Sequence, residues 1–153
     1  MLKTKKFQKG VTIVELIVYI GLLSIFMLVL VDVFVTILNS KLDTESTSTL
    51  NQDARYIYSR LAYDIANADS ASVLNPNSLN LVSSGVSYNY VLDGSGNLLL
   101  NDVTINSLDT KVDSISFSKI GNTVKISYTI ESLITLPSGN QTRTIETTVG
   151  LRP

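Results

Sequence analysis

Among its 153 residues the chain has no cysteine, no histidine and no tryptophan. Without cysteine there are no disulfides, thiol nucleophiles or thiolate-held metals. Without histidine the side chain that most often moves protons near neutral pH is missing, and so is any Cys/His zinc site. Charged residues make up only 16% of the chain. Outside the first ten residues no basic patch forms, so no nucleic-acid partner is expected. No Gly-rich phosphate loop, paired-carboxylate motif or nucleophile elbow is present. The chain is therefore expected not to be an enzyme and to carry no cofactor. Its compartment cannot be read from disulfides.

What the sequence does have is unevenly placed. Most of its apolar weight lies in one run, Val11 to Leu38, "VTIVELIVYIGLLSIFMLVLVDVFVTIL", in which only Glu15 and Asp32 are charged. The run has no proline, so no kink is predicted. As helix it is long enough to cross a hydrocarbon layer about 30 Å thick. Lys3, Lys5, Lys6 and Lys9 precede it. The positive-inside rule then places the N-terminus in the cytoplasm and everything after Leu38 outside. Removing the four leader lysines would leave 8 basic against 13 acidic residues, a net charge of about −5. A secretory signal peptide would have a shorter apolar core, followed by a small-residue cleavage site. Here no such site follows Leu38, and the small residue, Gly10, stands before the run.

"KGVTIVEL" resembles the prepilin-type cleavage and methylation motif of the type IV pilin and type II secretion pseudopilin family. The shared features are a short basic leader, Lys9-Gly10, Thr12, Glu15 and an unbroken apolar tract. Val11 departs from the usual Phe or Met at that place. The resemblance implies that a membrane-embedded prepilin peptidase cuts between Gly10 and Val11, that the same enzyme methylates the new α-amine of Val11, and that the mature subunit then leaves the bilayer for a filament.

Glu15 is the residue that needs explaining. A carboxylate inside a bilayer is costly, about 2.5–3.5 kcal/mol at the centre on insertion scales, so such acids have partners. On the residues alone two accounts stand level. Glu15 could reach the interface near the helix N-terminus, where the dipole favours it, or it could pair with a cation of another chain. The resemblance implies the second: Glu15 pairs with the N-terminal amine of an adjacent subunit during assembly. Asp32 is expected at the outer headgroup interface. Gly21 and Ser24 are ordinary in membrane helices and are assigned no role.

The helical period continues beyond the membrane. Leu50, Ala54, Ile57, Leu61, Ile65 and Ala68 form one apolar stripe, preceded by Leu38, Leu42 and Thr49, with Gln52, Asp53, Arg55, Arg60 and Asp64 placed mostly elsewhere. Residues 43–49, "DTESTST", are weak helix formers and a candidate site of fraying or bending. Tyr56, Tyr58 and Tyr63 are expected to be packing or interfacial rings. "SRLAYDIANADS" resembles, more loosely, the end of this helix in minor pilins and pseudopilins.

From Ser70 the period changes to two. "SLNLVSS", "VSYNYVL", "NLLLN", "VTI", "VDSISFSKI", "TVKISYTIES" and "RTIETTVGLR" are expected strands, with a hairpin at Gly121-Asn122. "DGSGN" sets Asp93, Ser95 and Asn97 at alternate positions, as at the start of a calcium loop, but Thr104 stands where a bidentate Glu would be required. A hairpin turn is the better account.

These features predict an α+β chain in four parts: a cleaved leader (1–10), a transmembrane or filament-core helix (11–38), its amphipathic continuation (39–68) and an extracytoplasmic β-rich domain (69–153). The long helix would pack on a C-terminal antiparallel sheet, as in the pilin fold. The resemblance implies a structural subunit, a minor pilin or pseudopilin, of a type IV pilus, a type II secretion pseudopilus or a related DNA-uptake filament. It implies no metal. Its partners would be the prepilin peptidase and methyltransferase, other pilin subunits, an inner-membrane assembly platform and, before assembly, membrane lipid. The rival accounts are a tip adhesin on the same anchor and a signal-anchored protein that never polymerises.

Overall fold

The computed structural model describes residues 10–152. The leader lysines lie outside the described residues. One helix, α1 (Ile13–Ala66), precedes eight strands. These are β1 (Ser70–Asn75), β2 (Ser78–Ser83), β3 (Val86–Leu92), β4 (Leu98–Leu100), β5 (Val103–Thr104), β6 (Thr110–Ile120), β7 (Thr123–Ser132) and β8 (Thr142–Gly150). The chain divides into two compact units at Ser40/Lys41.

In the first unit α1 carries apolar side chains on every face, and all of them are exposed within the chain. This part of α1 is long and apolar enough to cross a membrane.

The second unit is α+β. Strands β1 to β5 form an antiparallel meander in sequence order, and β6, β7 and β8 form a second one. The sequence suggested a single sheet, whereas there are two, joined along β6. There the Phe117 N–H donates to the Pro76 carbonyl (2.8 Å) and the Val112 N–H to the Gly96 carbonyl (2.8 Å). The strand β1, "SASVLN", was not anticipated. It is rich in Ser and Ala, which are weak strand formers, and is held by antiparallel pairing with β2, Ala71 opposite Leu81.

The hairpins follow their turn chemistry. Ser84 and Gly85 (φ 51° and 81°) close β2–β3, and Asn101 and Asp102 (φ 49° and 67°) close β4–β5, both central residues being left-handed as a type I′ turn demands. Gly121 (φ 59°) opens the β6–β7 turn, where a side chain would be strained.

The core forms where the second part of α1 meets both sheets. Leu50, Ala54, Ile57, Leu61 and Ile65 are buried with Leu79, Leu81, Tyr90 and Leu98 of the first sheet and with Val112, Ile115, Phe117, Val124, Ile126, Tyr128 and Ile130 of the second. The strict alternation of β7 puts every second residue on the helix side.

Residues 43–49 are helical. Their low propensity is overridden by contacts with the β7–β8 loop: the Thr47 hydroxyl bonds the Asp43 carbonyl and the Gln141 side chain (both 2.8 Å), and the Gln141 amide donates to Asp43 Oδ1 (2.5 Å). Leu38 and Leu42, which precede the stripe in the same helical period, are exposed, and the buried stripe starts at Leu50, as the period predicts. The helix ends at Ala66, where the Ala68 N–H bonds the Ile65 carbonyl in a tightened last turn and the Asp69 N–H passes to Val82 of β2.

Candidate functional site

The expected site lies where α1 begins. Gly10, Val11 and Thr12 precede the first helical residue, Ile13. Among the described residues nothing lies within 4 Å of where a side chain on Gly10 would start, and both Gly10 and Val11 are exposed. The Gly10–Val11 peptide bond is thus open, non-helical backbone. Thr12 caps the helix. Its carbonyl accepts the first helical bond from the Leu16 N–H (3.1 Å), and its Oγ1 accepts the Glu15 N–H (3.2 Å). Thr12-x-x-Glu15 therefore has the spacing of a capping box, with the acid in the first turn, where the helix dipole favours it.

The Glu15 carboxylate does not reach back to the cap. Its Oε1 accepts from the Tyr19 hydroxyl at 3.1 Å, one turn further along. Sequence reasoning missed Tyr19, although its i,i+4 spacing from the acid was the signal that could have found it. Deeper in the helix the hydroxyls of Ser24 and Thr36 bond the carbonyls of Ile20 and Asp32, satisfying themselves within α1. Gly21 faces open space.

The residues weighed as a calcium loop form the β3–β4 turn instead. Asp93 Oδ1 accepts the N–H groups of Ser95 (2.8 Å) and Asn97 (2.7 Å), and Oδ2 accepts the Asn97 side-chain amide (2.8 Å). These N–H donors, those of Asn97 above all, hold the carboxyl below the usual range. Thr104 lies on β5. No group of three or more acidic side chains is gathered among the described residues.

A second polar cluster was not foreseen. Asp64, expected off the apolar stripe, is buried on it. Arg60 Nε donates to its Oδ2 at 2.9 Å, and the Tyr90 hydroxyl, from the first sheet, donates to the same oxygen at 2.5 Å. The second sheet sends a matching phenol: Tyr128 donates to the Ala54 carbonyl at 2.5 Å. Burial is the main cause that raises both phenol pKa values, and for Tyr90 the bond to Asp64 adds to it.

The pH consequence has a definite sign. Unfolded tyrosines ionise near pH 10, whereas these two resist ionisation in the folded chain. Above about pH 10 the unfolded state therefore holds fewer protons than the folded one, and stability falls as pH rises. Urea midpoints measured from pH 8 to 11 should drop at the alkaline end, and the drop should shrink in Tyr90→Phe/Tyr128→Phe. An undiminished drop would mean that other groups cause it. Tyr56, Tyr58 and Tyr63 are exposed.

Compared with protein-family models, curated proteins and solved structures, the chain matches none of them.

Proposed function

We propose that this chain is a structural subunit of a type IV pilin-like filament, a minor pilin or pseudopilin, that is anchored by α1 until its leader is removed. One observation carries the proposal: an open Gly10–Val11 bond lies directly ahead of a capped helix whose first turn holds the lone early acid, Glu15. Cleavage there takes the lysines away and leaves the helix joined to the domain. It also creates a cationic α-amine on Val11, next to a long stretch of apolar surface that only lipid or other helices can cover.

In this account the peptidase acts at the cytoplasmic face and methylates Val11. The assembly platform then moves the subunit from lipid into the filament. The Glu15 carboxylate exchanges its Tyr19 hydroxyl for the α-amine of a neighbouring subunit, which sets the axial register. Work of this kind is mechanical and needs no catalytic group.

Co-expression with a prepilin peptidase tests the first step. The intact mass of the purified protein should fall by the mass of residues 1–10 less the one CH2 unit that methylation of Val11 adds, and it should stay whole when Gly10 is replaced by a bulky residue. A chain that keeps its leader beside an active peptidase rules the proposal out. A binding module on the same anchor is the second account, and a polar cleft in the β-rich unit favours it.

A further inference from the structure

We infer that the cleft at the C-terminal end of α1 binds a single neutral sugar ring. The cleft has a volume of about 240 Å³ and is lined by Tyr63, Asp64 and Asn67 of the helix end, Ser83 and Ser84 of the β2–β3 turn, Tyr88 and Arg152. It lies wholly within the β-rich unit, and the inference does not rest on the filament proposal.

The chemistry of the walls selects the ligand. The Asp64 side chain is only 5% exposed. Both of its bonds, from Arg60 and Tyr90, fall on Oδ2. Neither bond uses Oδ1, which is left to accept from whatever occupies the cleft. An anion would meet this carboxylate beside Arg152, losing to the one what it gains from the other. A cation would meet Arg152 in the cleft and Arg60 behind Asp64. A hydrocarbon would strip the polar walls of water and return nothing. A neutral polyol avoids all three penalties. One hydroxyl donates to Asp64 Oδ1 and another accepts from the Arg152 guanidinium.

The remaining groups suit the same ligand. The Ser83 hydroxyl donates to the Asn67 carbonyl (2.8 Å) and keeps its lone pairs for an incoming hydroxyl. Ser84 is held in the left-handed region by its N–H bond to Asp69 Oδ2 (2.7 Å), which fixes this wall. Tyr63, 67% exposed, offers a ring face on which the C–H face of a pyranose can lie. The volume is below the roughly 300–1,000 Å³ of pockets for drug-sized molecules, so the cleft suits one ring rather than a chain of them.

The test uses the full chain in a detergent without a sugar headgroup, such as a dimethylamine oxide. Glucose, galactose and N-acetylglucosamine are titrated separately and followed by calorimetry and by saturation transfer to the sugar protons. At least one should bind with a dissociation constant on the order of 1 mM. Tyr63→Ala and Arg152→Ala, both at exposed positions, should each weaken that binding at least about fivefold with no change in thermal unfolding, a loss of about 1 kcal/mol. Asp64→Asn should weaken it further; should that variant unfold, the other two carry the test. The inference is overturned if none of the sugars binds at roughly 50 mM, if binding ignores both surface substitutions, or if inorganic phosphate binds in their place.

Discussion

Glu15→Ala should leave the protein in the membrane and keep it out of the filament. Insertion is driven by the apolar side chains of α1, and losing one charged group makes it easier. On the filament proposal, the carboxylate matters only when lipid is exchanged for neighbouring helices. In that dry setting a charge-assisted bond to an α-amine is worth about 1.5–3 kcal/mol per contact, or about tenfold or more in the incorporated fraction. The membrane fraction after carbonate extraction should match the wild type, while the sheared filament fraction should fall at least about tenfold. Glu15→Gln keeps the shape and the Tyr19 contact but not the charge, so it should fail in the same way. Normal incorporation of either variant would show that the acid serves only the N-terminal turn of its own helix, where it lies three residues from the Thr12 cap. Removal of the leader should be unaffected, which separates this result from the peptidase test.

The second large effect contrasts two leucines of one helix. Leu61→Ala should destabilise the β-rich unit by about 2–5 kcal/mol, because Leu61 is fully buried between the sheets and truncation leaves a cavity. Against a typical stability of about 5–15 kcal/mol this is a major loss, equivalent to roughly 10–20 °C in melting temperature for a unit of this size. Leu16→Ala, the same change in the same helix, should leave that temperature unmoved. Leu16 is 53% exposed in the chain and has nothing to pack on there. Its effect should appear in assembly instead. Thermal unfolding of both variants in the same detergent decides the matter, and equal shifts would sink the two-part account of α1.

Much of the fold was legible because local pattern and tertiary need coincide. The β3 and β7 strands match their alternating stretches residue for residue, and the Gly121-Asn122 hairpin lies where its turn residues put it. The stripe from Leu50 to Ala68 is the buried face. Other features were legible only from the folded chain. No local pattern marks "SASVLN" as a strand, since its partner supplies what its composition lacks. Residues 43–49 look like a weak point until Gln141, far along the chain, is seen to bond Asp43 and Thr47. Asp64 reads as a solvent-facing acid until Tyr90 reaches it from the sheet.

The sequence by itself determined the apolar helix, the acid in its first turn, the Gly10–Val11 bond ahead of it and the change to strand period after Ser70. All of these depend on residues near one another in the chain, whose spacing and hydrophobicity act locally. Only the tertiary structure decided that there are two sheets joined at β6, that each sends a tyrosine to α1, and that Asp64 stands buried at the wall of a cleft. Those outcomes depend on pairings between distant residues. There the free energy of burying a polar group is set by which partner the fold delivers, not by its neighbours in sequence.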